Sequence, residues 1–381
     1  MTLTGKTVVV VGGGIGGLAA AIALRDRGAK VTLLEQAGAF REVGAGIQIS
    51  PNGARVLQAL GVAPESLRAQ AVTLRNTKGA QVLRMDLPQS GAGFHLVHRA
   101  DCVAALAART QDIETRFNAQ VVAVDTDAGR VTLAGGAELE ADLVIGADGL
   151  HSVLRAALNT VAKPFFTGQV AWRATIDGNP DDPEEVQVFM GPGRHLVSYP
   201  LRGGSLRNLV AVEERKDWAD EGWNHPDTPV NLRRAFAGFG GPVAHWLAQV
   251  DKVYLWGLFR HKVAANWHAG RVALLGDAAH PTLPFMAQGA NLALEDAYAL
   301  AMELERAPDL STGLAAYQDA RRGRAARVVE AANRNARNYH LRAPVAPLAH
   351  MALRLSQRFV PDAPLRQFGW IYDHDVTKGA A

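Results

Sequence analysis

The 381-residue sequence predicts a mixed α/β fold: a parallel sheet with helices, interrupted by a mostly antiparallel sheet and followed by a helical extension. Three observations carry this. A continuous valine run at 8–11 breaks at a glycine cluster into a helical apolar pattern, and a second short apolar run follows, making a β-α-β unit. From Ala171 to Trp267 the pattern alternates instead, holds most of the tryptophans and is broken at GNPDDP and GPGR, as in an antiparallel sheet. After Trp267 the strand-and-helix pattern returns, so the first domain is interrupted by the second.

The elements follow in order. Residues 6–11 read as a buried strand, 12–17 as a turn, 17–27 as a helix and 30–35 as the next strand. Ser50 precedes Pro51 at the head of a helix over 51–60, the arrangement of an N-cap and a first helical position. A helix over 99–110 is expected to be capped by Asp101, and 138–147 ends in the strand LVIGAD, stopping at Gly149. One helix, near 230–238, interrupts the alternating region; RVALLGDAAH then reads as a strand running into a loop, with a helix over 291–306. Along 321–337, Ala325, Val328, Val329, Ala332 and Ala336 share a helical face and the arginines mostly occupy the other, as in a solvated amphipathic helix. The expected domains are 1–75, 98–170 and 266–340; then 76–97 and 171–265; then a helical extension over 341–381.

Charge and cysteine content remove several functions. With 40 basic and 37 acidic residues the net charge is +3, too balanced for a nucleic-acid-binding or membrane-surface protein. The single cysteine, Cys102, excludes an internal disulfide and a cysteine-rich metal site and fits a cytoplasmic protein. Residues 7–24 are uncharged, yet the glycines in their middle have turn-forming spacing, which argues against a signal peptide or membrane anchor. No metal-binding or serine-nucleophile signature is present, so no metal is expected.

The glycines at 12, 14 and 17 match G-x-G-x-x-G, and here the motif follows a strand, opens a helix and has Glu35 at the end of the next strand. Gly12 permits the tight turn, Gly14 admits a pyrophosphate, and Gly17 lets helix and strand pack closely. The helix N-terminus offers free N–H groups to the phosphates. Glu35 can accept hydrogen bonds from a ribose and would repel a 2′-phosphate. This much is a Rossmann-like dinucleotide site, with NAD and FAD both open.

Two later motifs narrow it. GADGLHSVLR, from Gly146 to Arg155, resembles the DG motif of class A flavoprotein aromatic hydroxylases. GDAAHP, from Gly276 to Pro281 and continuing through Pro284, Gln288, Gly289 and Glu295-Asp296, resembles that family's second FAD motif. GAGIQISPNG, HRADCVAAL and WIYDHD are most similar to salicylate hydroxylases, 3-hydroxybenzoate 6-hydroxylases and 6-hydroxynicotinate monooxygenases. The resemblance implies a p-hydroxybenzoate hydroxylase-type fold, non-covalent FAD and NADH or NADPH as transient electron donor. It implies O₂ activation through a flavin C4a-hydroperoxide and a small aromatic acid as substrate. The last forty residues offer a surface for a homodimer.

The site residues follow from both readings. Asp277 ends a buried strand, where a carboxylate is expensive unless partnered, and a ribityl hydroxyl is a suitable donor. Gly289, Ala290 and Asn291 open a helix whose N–H groups can face the flavin N1/C2=O edge. Arg99 resembles the family's FAD-contacting arginine, and Asp148 belongs to the DG motif with a structural part in its turn. Ile15, Gln36, Arg41, Gln48 and Pro284 complete the expected cofactor contacts. Ala287 stands where many relatives have glycine, and His280 reads as structural. On the substrate side, period-two alternation puts His195, Val197 and Tyr199 on one strand face. A histidine and a tyrosine there can bind and deprotonate a phenol, and the H-x-x-x-Y spacing resembles the active-site strand of the 6-hydroxynicotinate and 3-hydroxybenzoate enzymes. Arg173 and Pro284 to Met286 are further pocket candidates.

Overall fold

A computed structural model describes residues 2–40, 46–161, 163–216, 225–360 and 363–378. Thr7–Val11, too apolar and β-branched to face water, lies inside a six-stranded sheet. Its order is His268–Ala269, Val272–Leu274, Leu143–Gly146, Thr7–Val11, Lys30–Leu34 and Glu114–Arg116. All neighbours are parallel except the outermost pair, His268–Ala269 with Val272–Leu274. The helix Ile15–Arg25 starts two residues earlier than the glycine spacing predicts, because Gly14 takes the N-cap position. It packs against the helix Gly289–Arg306, with Gly16 lying on Ala293 and Leu275.

The second sheet has eight strands, in the order His225–Asp227, Val253–Arg260, Phe165–Asp177, Leu206–Glu214, Arg194–Leu201, Glu185–Gly191, Ala71–Arg75 and Gln81–Asp86. It is antiparallel apart from one parallel pairing, Glu185–Phe189 with Ala71–Arg75. Strand Ala71–Arg75 thus lies on the N-terminal side of the expected boundary at 75/76 but hydrogen-bonds in this sheet. One face packs an apolar core of Trp172, Phe189, Leu196, Leu209 and Phe236 under two short helices, Pro229–Ala235 and Val243–Ala248; the second was not expected. A small sheet of Gly46–Ile49, His95–His98 and Ser66–Arg68 lies beside the other face.

Two expectations are corrected and a third is refined. Asp101 does not cap the helix Arg99–Ala107: His98 holds the N-cap position, and Asp101, in the first turn, takes both N–H groups of Arg202, at 2.8 and 2.7 Å. Bidentate pairing outcompetes a single backbone bond. Ser50 does hold the N-cap position before Pro51 in the helix Pro51–Ala59, as expected, but its hydroxyl makes no cap bond: it donates to Asn52 Oδ1 at 2.6 Å and accepts from Gln288. Arg321 is not on a solvated face: within Leu310–Tyr339 it is 1% exposed, bonded to Asp296 at 2.8 Å and paired with Glu295 at 2.5 Å. Two buried carboxylates draw the guanidinium inward, because burying them unpaired costs more than burying the cation. No described helix is long and apolar enough to cross a membrane.

Candidate active site

At the nucleotide end the chain turns at Gly12 with φ +107, where a Cβ would strike the Ala147 carbonyl. A Cβ on Gly17 would collide with the Gly12 carbonyl, so both positions need glycine to seat the helix on the sheet. Gly14 is different: a Cβ there meets nothing within 4 Å, which leaves an open approach to the backbone. The first helical hydrogen bond runs from the Leu18 N–H to the Gly14 carbonyl at 2.9 Å. The first-turn amides before Leu18, that of Ile15 included, therefore stand outside the helical ladder and are placed to receive phosphate. Glu35 has a task the sequence did not disclose. Its Oε2 accepts the Gly13 N–H at 2.7 Å and its Oε1 the Ala37 N–H at 2.8 Å, so it clamps the loop while keeping lone pairs for a ribose. Gln36 is exposed beside it, and Arg41 lies outside the described residues.

Around the second motif, Asp277 is exposed, and it makes no hydrogen bond to a described residue. Its side chain is thus open to a ligand, and loss of hydration among its neighbours raises its carboxyl pKa. A donor such as a ribityl hydroxyl fits there, so the residues present suit FAD. The expectation of a buried aspartate gives way to an exposed one. The helix Gly289–Arg306 makes its first helical hydrogen bond from Leu292 to Gln288 at 2.8 Å, leaving the amides of Gly289, Ala290 and Asn291 ahead of it. The Asn291 side chain is wholly engaged: it donates to the carbonyls of Gln48 and Ala287 and accepts from the Ser50 N–H. Only its backbone remains for a cofactor. Asp148 is engaged likewise, accepting from Ser152 Oγ at 2.6 Å and the Val153 N–H at 2.9 Å to hold the head of the helix Val153–Leu158. His280 bonds to Asp296 and stacks on Trp267, the structural part expected of it. Ala287 adopts φ +52 between Pro284–Met286 and the helix, a turn glycine would take without strain.

On the sheet, register fixes which side chains share a face. His195 pairs with Val212, Val197 with Val210 and Tyr199 with Asn208; Val212, Val210 and Asn208 pair in turn with Ala171, Arg173 and Thr175. His195, Tyr199, Asn208, Arg173 and Trp256 therefore project from one face, opposite the apolar core. Gly46 abuts the Tyr199 ring and gives its N–H to Asn208 Oδ1 at 3.0 Å; Gln48, two residues on, shares that side of its strand. Arg173 lies 4.0 Å over the Trp256 ring, its Nε without a hydrogen-bond partner among the described residues. Burial and the neighbouring charge of Arg99 lower its pKa to about 10. A guanidinium with no carboxylate beside it is a receptor for an anion. The Tyr199 hydroxyl makes no hydrogen bond to a described residue, and burial raises its pKa. His195 is 1% exposed, and burial followed by the charge of His340 holds its pKa well below the usual value, so it is neutral at pH 7. Its Nδ1 bonds to His340 Nε2 at 2.7 Å, and its ring meets Phe285 edge-on at 5.2 Å. Sequence reading singled out His195, Tyr199 and Arg173 but missed His340, Glu214, Trp256 and Asn208. Pairing across the sheet would have revealed Asn208 and Trp256; nothing local marks His340.

The segment 275–293 joins the two halves: Leu275 and Ala293 touch Gly16 of the nucleotide loop, and Phe285 touches His195. A dinucleotide loop and a polar sheet face meeting across this segment form the layout of an FAD-dependent aromatic-ring monooxygenase, and the relatives of the chain are of that class. The chain belongs to the family described as FAD binding domain, whose sequence profile matches residues 6–332. It is 36% identical to 3-amino-4-hydroxybenzoate 2-monooxygenase PtmB3 of Streptomyces platensis, over 97% of this chain and 96% of that protein. It is 32% identical to the salicylate hydroxylase of Pseudomonas putida, over 99% of this chain and 94% of that one. A solved salicylate hydroxylase substrate complex superposes with a TM-score of 0.81 at 26% identity, covering 98% of this chain and 97% of that chain.

Proposed function

We propose that this monooxygenase hydroxylates a small aromatic hydroxycarboxylate, with salicylate first and 3-hydroxybenzoate, 3-amino-4-hydroxybenzoate and 6-hydroxynicotinate as the nearest alternatives. The observation that carries this is the pairing on one sheet face of a cation without a carboxylate, Arg173, and a buried neutral base, His195. In this reading Arg173, held flat by Trp256, anchors the carboxylate. The phenol O–H gives its proton to His195 Nε2, which bonds to no described residue, and Tyr199 donates a hydrogen bond to the phenolate that results. Ring attack needs an electron-rich donor, and deprotonation supplies it. FAD, when bound, supplies the electrons taken from NADH or NADPH and the activation of O₂. The chain's own contribution is to position the ring and exclude water.

For the cofactor we assign the Gly12 turn and the amides of Gly14, Ile15 and Gly17 to the pyrophosphate, Glu35 and Gln36 to the adenosine side, and Asp277 and Arg99 to the ribityl and phosphate region; the Gly12 N–H itself is held by the Leu34 carbonyl at 2.8 Å. The helix head at Gly289, Ala290 and Asn291, with Gln48 and Pro284, is assigned to the flavin ring. The division of the chain into a cofactor part and a substrate part, a cytoplasmic location and a homodimer belong to the same reading. The small charge surplus and the single, buried Cys102 support the location. The deciding experiment incubates FAD-loaded protein with each acid, NADH and NADPH, and scores hydroxylated product by mass as well as nucleotide consumption. Product from at least one hydroxylated aromatic acid and none from its non-hydroxylated parent is expected; consumption that yields only peroxide across the panel would overturn the proposal.

A further inference from the structure

The buried His195 is joined to the surface by a continuous line of titratable groups. His195 Nδ1 meets His340 Nε2 at 2.7 Å, and His340 Nδ1 meets Glu214 Oε1 at 2.9 Å. The two histidines are 1% and 4% exposed, whereas the Glu214 side chain is 41% exposed and reaches water. Glu214 ends the strand Leu206–Glu214 two residues beyond Val212, the cross-strand partner of His195, so both project from the same sheet face and His340 bridges them. His340 follows the helix Leu310–Tyr339; its carbonyl accepts the Gly193 N–H at 3.3 Å, and Gly193 in turn accepts the Glu214 N–H at 2.9 Å, which ties all three backbones together. The groups around the line are few. His195 faces the rings of Phe285 and Tyr339; His340 feels the charges of Glu214, Arg342 and Arg194; and Arg342 pairs with Glu214 at 3.2 Å.

We propose that His195, His340 and Glu214 form a proton path that carries the substrate's hydroxyl proton from the enclosed site to solvent. The proposal rests on the reading of His195 as base. One tautomer satisfies both hydrogen bonds: His195 carries its proton on Nδ1 and donates to His340 Nε2, and His340 carries its own on Nδ1 and donates to Glu214. The transfer balances. The phenol O–H bond breaks as an N–H bond forms at His195 Nε2; the His195 Nδ1 proton passes to His340 Nε2; the His340 Nδ1 proton passes to Glu214 Oε1 and thence to water. One proton leaves and both rings end neutral as the opposite tautomers; a proton returning from Glu214 through His340 to His195 Nδ1 resets them as the His195 Nε2 proton passes to the hydroxyl oxygen of the bound product. A base sealed from water can work repeatedly only if its proton has an exit, and no transient charged imidazolium need persist in a site where burial disfavours one. His340 and Glu214 are positioning residues, touching His195 and not the substrate.

The test mixes oxidised, FAD-loaded enzyme with 4-hydroxy-3-nitrobenzoate, whose phenolate absorbs in the visible, and follows ionisation of the bound ligand by stopped flow. His340→Gln and the surface variant Glu214→Gln should keep FAD content and the final phenolate amplitude while slowing ionisation about tenfold or more. Imidazole should restore the rate in His340→Ala. His195→Ala should remove the amplitude itself. If the parent shows a His195-dependent amplitude but His340→Gln and Glu214→Gln ionise the ligand at the parent rate, the path is wrong and the base stands. If the parent does not ionise the ligand, or His195→Ala ionises it as the parent does, the base assignment falls and the path with it.

Discussion

His195 has one ring nitrogen committed to His340 and the other uncommitted among the described residues, and burial keeps it neutral at pH 7. A neutral imidazole is ready to accept a proton, so His195→Ala should lower coupled hydroxylation by about 10²–10⁴-fold, the usual worth of a general base. FAD content, read from the flavin absorbance, should be unchanged. Tyr199→Phe keeps the ring against Gly46 and loses one hydrogen bond worth about 0.5–1.5 kcal/mol, so its effect should be within about tenfold. Arg173 predicts a different signature. A charge-assisted hydrogen bond is worth about 1.5–3 kcal/mol, so Arg173→Met should lower kcat/KM by about 10–100-fold for the carboxylate substrate. For the matching phenol without a carboxylate the same variant should change little, and comparing the two ligands checks the assignment.

At the scale of elements, the helices Gly289–Arg306 and Leu310–Tyr339 are locked by an ion network with almost no water. Glu295 and Asp296 are fully buried; Arg321 serves both, Arg324 serves Glu295 at 2.7 Å, and Asn52 donates to Glu295 at 2.6 Å. Burial alone would raise both carboxyls, but attraction to Arg321 and then Arg324 at Glu295, and to His280 and then Arg321 at Asp296, brings each down to about 2. Depressed carboxyl pKa values give stability that is complete above about pH 4 and is lost as the pH falls toward 2. Arg321→Met strands buried negative charge and should cost about 3–5 kcal/mol in urea unfolding at pH 7, a deficit that narrows as the carboxylates protonate below pH 4. The Ala287 turn predicts the reverse sign. Relieving a left-handed alanine is worth about 1–2 kcal/mol, of which the flexibility of glycine in the unfolded chain takes back about half. Ala287→Gly should therefore raise the urea midpoint by an amount equivalent to about 0.5–1 kcal/mol.

For the whole molecule, two sheets with separate cores meet at segment 275–293, and the cofactor is expected to bind along the same join. FAD should then stabilise the entire chain by mass action: about 2.7 kcal/mol at a hundredfold excess over its Kd and about 1.4 kcal/mol more for each further tenfold. Stripping the cofactor and titrating it back while recording Tm measures this; a Tm that ignores FAD would break the link between fold and cofactor. Local chemistry made part of this architecture legible in the sequence. Gly12 and Gly17 announce their loop because only glycine fits where backbone meets backbone, Gly14 by the bare backbone it leaves open, and a valine run must be a buried strand whatever surrounds it. The strand holding His195 and Tyr199 was equally readable, since alternation fixes a face with no knowledge of the partner strand. What tertiary structure decided is which groups meet from distant parts of the chain. Arg321 looks like one more solvated arginine until Glu295 and Asp296 come to lie beside it, and Asp277 looks buried although the folded chain leaves it exposed. His340 follows His195 by 145 residues, and no periodicity links them. Hydrogen bonds and ion pairs across such separations depend on how sheets and helices dock, a property of the packed whole that no local pattern encodes.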